Sequence, residues 1–178
     1  MKNISDMSIL ITGGGSGIGE GTASYFVKNG AKVTICGRNM DKLENVSKKL
    51  GDSCHAVKCD VTKNDERNNL IDEAINHGHK LDALINNAGN MLRGPITDLN
   101  ENKLLDLFHT NVISGMMLTG SAVPHLEKSQ GAIIFIGSIH TRRAFPGASP
   151  YAATKGSLES LTGCLLYTSD AADERSSV

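Results

Sequence analysis

The sequence predicts an α/β protein built on a doubly wound, mostly parallel sheet. Short, near-continuously apolar runs alternate with amphipathic segments from Ser8 to about Gly163. Runs of that kind suit strands covered by helices on both faces. The first run also feeds directly into a glycine-rich turn and a helix, as the opening unit of such a sheet does.

Taken in order, Ser8-Ile9-Leu10-Ile11 is the first strand, and it ends in Thr12-Gly13-Gly14-Gly15-Ser16-Gly17-Ile18-Gly19. An amphipathic helix follows as far as Asn29-Gly30. Lys32 to Gly37 is the second strand, and Leu43, Val46 and Leu50 mark a second helix over 40–50. His55 to Cys59 is a third, shorter strand, and Leu70, Ile71, Ala74 and Ile75 share one face of a third helix. Leu81 to Ile85 is the fourth strand, closed by Asn86-Asn87-Ala88-Gly89. From Glu101 to about Lys128 the pattern is that of one long helix, expected to bend or end near Pro124 because proline lacks the N–H a helix needs. Gly131 to Gly137 is a fifth strand. A last helix then opens with Ser149 as N-cap and Pro150 as its first residue.

The chain has 178 residues, enough for one domain with a buried core. With 39% hydrophobic residues, 21% charged residues and a net charge of −1, it reads as a soluble globular protein, and no nucleic acid partner is expected. No apolar run reaches the ~18 residues of a membrane span, and Met1 to Asp6 is too polar to open a signal peptide, so no membrane partner and a cytoplasmic location are expected. Cys36, Cys54, Cys59 and Cys164 form no Cys-x-x-Cys pair and no zinc-type spacing with histidine. His77-Gly78-His79 reads as a solvated helix end, and no metal is assigned.

The character of the chain changes after Gly163. Residues 164–178 continue no helical periodicity well and end in small polar residues, and Cys164 to Glu174 resembles the in-frame translation of a transposon-type sequencing adapter. The expectation is a dinucleotide-binding domain over 1–163, incomplete at its C-terminus, followed by a non-native tail over 164–178.

A strand that stops in a glycine turn and feeds a helix points backbone N–H groups at whatever precedes the helix, an arrangement suited to pyrophosphate. The spacing Gly13-x-x-x-Gly17-x-Gly19 departs from the Gly-x-Gly-x-x-Gly fingerprint. At the end of the second strand, where an acidic residue would bind an adenosine ribose, Gly37-Arg38 stands instead. A small residue followed by arginine leaves room for a 2′-phosphate and offers it a planar cation, which favours NADP(H) over NAD(H).

Tyr151 and Lys155 are four apart and share one face of the last helix, so a phenol and an ammonium can meet over one ligand. That spacing alone is weak. Together, Thr12-Gly13-x-x-x-Gly17-x-Gly19, Asp60-Val61, Asn86-Asn87-Ala88-Gly89, Asn111, Ser138 and Tyr151-x-x-x-Lys155 resemble the ordered motifs of the classical short-chain dehydrogenase/reductases. The resemblance covers residues 8 to about 163. It implies a Rossmann sheet of seven strands in the order 3-2-1-4-5-6-7, of which this chain supplies five.

The resemblance also implies roles. Tyr151 is the general acid or base toward a carbonyl or alcohol and, with Lys155, a cofactor-binding residue, and Lys155 lowers the Tyr151 pKa from the ordinary ~10 while binding the nicotinamide ribose. Ser138 holds the substrate oxygen, and Asn111 holds a water linking Lys155 to solvent. Thr12, Gly13, Ser16, Gly17, Ile18 and Gly19 form the cofactor loop, with Arg38 beyond it. Asp60 and Val61 lie at the adenine, and Asn87, Ala88 and Gly89 line the cofactor. A homo-oligomer is expected of the full-length protein.

The expected activity is hydride transfer between NADP(H) and a small carbonyl or alcohol substrate. The alternatives are a truncated fragment and a non-catalytic nucleotide-binding scaffold on the same fold. Arg93, His140, Arg142 and Arg143 point to a polar or anionic substrate, unless they are rim charges.

Overall fold

The computed structural model describes residues 2–166. The chain divides into two compact units, one made of Met1–Gly89 with Ile113–Ile136, the other of Asn90–Val112 with the chain from Gly137 onward.

The first unit carries the sheet. Strands β1 (Ser8–Thr12), β2 (Lys32–Gly37), β3 (Cys54–Lys58), β4 (Ala83–Asn86) and β5 (Ala132–Phe135) lie parallel in the order β3-β2-β1-β4-β5. The register places Ile9 between Val33 and Ala83, and Ile11 between Ile35 and Ile85. Since side chains alternate across a strand, Ile9 and Ile11 face one layer and Leu10 the other. The first layer holds α1 (Gly17–Lys28) and α2 (Met40–Leu50), which contribute Ala23, Leu43 and Val46 to the apolar packing. The second holds α3 (Asn64–Gly78) and α5 (Ser114–Ser129), which bring Leu70, Ile71, Ala74, Leu118, Ala122 and Leu126 against Leu10 and Leu84. Each large aliphatic side chain buried this way contributes about 1.5–3 kcal/mol. The predicted doubly wound parallel sheet is therefore the observed one, with strand ends displaced by a residue or two.

The N-terminal end of the sheet is fixed by a buried carboxylate. Asp82 accepts the Ser8 backbone N–H at 2.9 Å and is paired with Lys2 at 2.7 Å and Lys80 at 3.0 Å.

In the second unit, α4 (Glu101–Phe108) packs against α6 (Ser149–Leu166), and the Gly94 N–H donates to the Gly147 carbonyl at 2.9 Å. Two predictions need correcting. The expected long helix breaks at residues His109–Ile113, which form a π-helical turn, and not at Pro124, which α5 accommodates internally before ending at Ser129. A π turn inserts a residue into the helix, and here that turn carries Asn111, whose side chain is drawn off to partners outside the helix. Ser149 is also inside α6 and not its cap: the Ala148 carbonyl accepts the first helical N–H, from Ala152 at 2.9 Å. Pro150 then occupies the first turn, where its missing N–H costs nothing. The helix extends three residues past the boundary drawn at 163. The rest of the segment read as non-native, residues 167–178, lies outside the described residues.

Candidate active site

The glycine loop after β1 is built on hydrogen bonds from the end of β4. The Thr12 hydroxyl accepts the N–H groups of Asn87 at 3.0 Å and Ala88 at 2.9 Å. The Asn87 amide donates to the carbonyls of Thr12 at 2.8 Å and Gly13 at 3.1 Å. Gly13 and Gly19 have no room for a side chain: Gly13 has a φ of +68° and a Cβ there would come within 2.9 Å of Asn87 Nδ2, while a Cβ at Gly19 would lie 2.3 Å from the Gly13 carbonyl oxygen and 2.7 Å from Asn87 Nδ2. Gly17 differs. Its φ is +58° and a Cβ there would meet nothing within 4 Å, so its surface stands open at the first residue of α1. Ser16, the N-cap, makes no side-chain cap bond, and it is exposed together with Gly17 and Ile18. An open cradle at a helix N-terminus fits a pyrophosphate.

Farther along the strand ends, Arg38 is exposed just beyond β2. Asp60 Oδ1 accepts from the Thr62 hydroxyl at 2.8 Å and the Thr62 N–H at 3.1 Å. Burial pushes the Asp60 carboxyl up, but these two donors and the charges of Arg38 and Lys63 outweigh it and hold the group below its ordinary value. Two unpredicted residues shape this turn. Glu66 accepts the Asp60 N–H at 2.7 Å, and buried Arg67 donates to the Val61 carbonyl at 2.9 Å. Arg67 shares a helix face with Leu70, Ile71 and Ala74, and a charge on an apolar stripe was the available signal.

In the second unit, His140 touches both Ser138 and Tyr151, and Lys155 lies beside the Tyr151 ring. Ser138 is the N-cap of a short 3-10 turn, and its Oγ accepts the His140 N–H at 3.2 Å and lies 3.1 Å from His140 Nδ1. The imidazole meets the Tyr151 ring edge-to-face at 5.2 Å. One helical turn on, the Lys155 ammonium lies 5.9 Å from the centroid of the Tyr151 ring. Lys155 is buried, and that burial pushes its pKa down. A buried ammonium at that distance from a phenol ring makes a cation–π contact.

Asn111 accepts the Asn90 N–H at 2.7 Å and donates to the Asn90 carbonyl at 2.9 Å and the Thr154 hydroxyl at 3.0 Å. Thr154, fully buried, donates in turn to the Tyr151 carbonyl at 2.8 Å. Both amide donors of Asn111 are thus committed to protein, and one lone pair is left on its oxygen. Thr154 was not anticipated, although its place between Tyr151 and Lys155 put it on the turn that carries both.

The fold and these two groups define a Rossmann-type α/β protein of the oxidoreductase class. The chain belongs to the short chain dehydrogenase family, which it matches over residues 7–170. It is 36% identical over 164 residues to an uncharacterized oxidoreductase of Staphylococcus saprophyticus, covering 91% of this chain and 67% of that protein. A counterpart in Staphylococcus aureus is 38% identical over 164 residues, covering 91% and 71%. Among solved structures, the 3-ketoacyl-(acyl-carrier-protein) reductase of Brucella melitensis complexed with NADH superposes with a TM-score of 0.87 at 30% identity, covering 91% of this chain and 69% of that one. A short-chain dehydrogenase/reductase of Caenorhabditis elegans with cofactor gives 0.84 at 30% identity, covering 90% and 64%. No helix among the described residues is long and apolar enough to cross a membrane.

Proposed function

We propose that this sequence encodes an NADP(H)-dependent oxidoreductase acting on a small carbonyl or alcohol substrate, with Tyr151 as general acid and base. The observation that carries the reading is the Lys155 ammonium 5.9 Å from the Tyr151 ring centroid. It stabilises by its charge the phenolate that forms whenever Tyr151 gives its proton to a carbonyl oxygen. Ser138 donates a hydrogen bond to the same substrate oxygen and stabilises the charge developing there.

Thr12, Gly13, Ser16, Gly17, Ile18 and Gly19 hold the pyrophosphate end of the cofactor, Asp60 and Val61 the adenine, and Asn87, Ala88 and Gly89 the stretch beyond. Arg38 receives a 2′-phosphate, which is the basis for preferring NADP(H) to NAD(H). When bound, the reduced nicotinamide supplies the hydride. Asn111 secures the helical turn of Tyr151 and Lys155 through Thr154. The exposed side chains of Met116 and Met117 on α5 support assembly into a homo-oligomer.

The deciding experiment pairs cofactor titration with ketone reduction. NADPH is expected to bind more tightly than NADH, and Tyr151→Phe to bind NADPH unchanged while losing roughly 100-fold or more in turnover. Turnover undiminished in Tyr151→Phe would overturn the role given to the phenol.

A further inference from the structure

His140 is two residues from Ser138 and lies between Ser138 and Tyr151. A serine hydroxyl has one hydrogen to donate and two lone pairs to accept with. One lone pair of Ser138 is already taken by the His140 backbone N–H at 3.2 Å. The contact between Ser138 Oγ and His140 Nδ1 at 3.1 Å can then run in either direction. If the hydroxyl donated to Nδ1, its only hydrogen would be spent on the protein. If Nδ1–H donates to the hydroxyl, both lone pairs are filled and the O–H is kept from the ring, left to donate to a ligand or, in its absence, to solvent.

The far side of the ring separates the two cases. His140 Nε2 is buried and has no hydrogen-bond partner among the described residues. The tautomer that accepts from Ser138 would carry its proton on Nε2, as a buried N–H with nothing to receive it. The tautomer that donates to Ser138 leaves only a bare lone pair there. Buried N–H groups without acceptors are the rarer defect in folded proteins, which favours the second tautomer. The ring has little freedom to turn and exchange its nitrogens. Phe145 packs on it with centroids 4.3 Å apart, and Tyr151 meets it edge-to-face at 5.2 Å.

We propose that His140 is a positioning residue: held as the Nδ1–H tautomer between Phe145 and Tyr151, it donates to Ser138 and leaves the Ser138 hydroxyl pre-aimed as a donor to the substrate oxygen. The kinetic part of this rests on the carbonyl-reductase reading above; the tautomer does not.

Long-range nitrogen–proton correlation spectra of the full chain with labelled histidine, taken at mildly alkaline pH, read the tautomer directly. Comparison with His140→Asn assigns the His140 ring among the six histidines. A protonated Nδ1 with a bare Nε2 is the expected result. A proton on Nε2, alone or together with one on Nδ1, would overturn the proposal, whatever the chain's activity.

Kinetics supply the second arm. The amide nitrogen of His140→Asn can take the place of Nδ1, whereas His140→Leu has no donor. His140→Leu should lower kcat roughly tenfold with KM changed less than about threefold, and His140→Asn should recover most of that loss. Adding His140→Leu to Ser138→Ala should cost nothing further, because the hydroxyl it aims is gone. Losses that multiply, or a failure of asparagine to do better than leucine in an active enzyme, would overturn the positioning role. A wild-type chain that reduces no carbonyl while showing the Nδ1–H tautomer would overturn the proposed function and leave the hydrogen bond from His140 to Ser138 standing.

Discussion

The side-chain amide of Asn87 donates to the Thr12 carbonyl at 2.8 Å, while the Thr12 hydroxyl accepts the Asn87 backbone N–H at 3.0 Å. This reciprocal pair ties the end of β4 to the end of β1 and sets the path of the glycine loop. In Asn87→Asp the amide is replaced by a group with no hydrogen to donate, facing two carbonyl oxygens. The expected result is a loss of about 1–3 kcal/mol of stability in urea unfolding, together with weaker NADPH binding. Unchanged stability would mean that the loop holds its path without Asn87.

Asp82 gives a prediction in pH. Burial pushes its carboxyl up, but the Lys2 and Lys80 ammonium groups and the Ser8 N–H outweigh it and hold the group below its ordinary value. The folded-state value is thus depressed, so Asp82 stabilises the fold above the unfolded carboxylate value of ~3.9 and loses that contribution as pH falls through the folded value. Comparing unfolding free energies of the wild type and Asp82→Asn from pH 6 down to pH 2.5 tests this. The wild type should lead at pH 6, and the gap should close below about pH 4. A gap independent of pH would remove Asp82 from the acid response.

The alternation of strands and helices was legible because each strand carries a short apolar centre, such as Ile9-Leu10-Ile11 or Ala83-Leu84-Ile85, between amphipathic segments. Ser8-Ile9-Leu10-Ile11 reads as a buried strand because it is short and stops in a glycine run, and the helix faces Leu43/Val46 and Leu70/Ile71/Ala74 follow from spacing. The π turn was not legible. Asn111 reads as an ordinary position in a helical pattern until Asn90 and Thr154, which are far from it in sequence, claim its amide. Pro124 misled in the same way, since a local rule about proline says nothing of how surrounding packing accommodates it. At the site, Ser138, Tyr151 and Lys155 stood out as residue types with chemistry. His140 stood out only as a charge, because its use depends on which atom faces Ser138, and that is a matter of geometry.

Lys155 should trade stability for activity. Its pKa is pushed down by burial, so the folded state resists the charge that the unfolded chain carries freely. A lysine with a depressed folded value destabilises the fold at pH 7, and the cost is relieved as pH rises toward the unfolded value of ~10.4. Lys155→Met keeps the stem and removes the charge. It is expected to melt at or above the wild-type temperature at pH 7 while losing turnover by roughly 100-fold or more. A variant that is clearly less stable would show that the ammonium is a net structural asset.

Arg38 tests the cofactor preference. Replacing it in Arg38→Ser removes the cation offered to a 2′-phosphate and leaves β2 in place. NADPH should bind roughly tenfold more weakly or worse, as expected for a lost charge-assisted hydrogen bond, with NADH changed less than about threefold. Fluorescence titration of both cofactors measures the ratio. Equal weakening of the two would locate Arg38 outside the 2′-phosphate site. A titration of the wild type across acid pH adds a check, since the Arg38 charge also helps to hold the Asp60 carboxyl down.

Two neighbouring glycines should separate folding from binding. A methyl on Gly14 would sit 2.5 Å from Ile35 Cβ and 2.7 Å from its Cγ2, inside the layer that packs α1 and α2 on β2. Gly14→Ala is therefore expected to cost about 1–3 kcal/mol through overpacking. Gly17 meets nothing within 4 Å, so its constraint is the φ of +58°, which costs an alanine about 1–2 kcal/mol. The two variants should thus lose similar stability in urea. They should differ toward NADPH, because Gly17 is exposed at the first residue of α1, where the pyrophosphate is placed, and the added methyl of Gly14→Ala is buried against Ile35. Under conditions where both are fully folded, Gly17→Ala should weaken NADPH binding by roughly tenfold or more, and Gly14→Ala by much less. Equal affinities would put the pyrophosphate somewhere other than the N-terminus of α1.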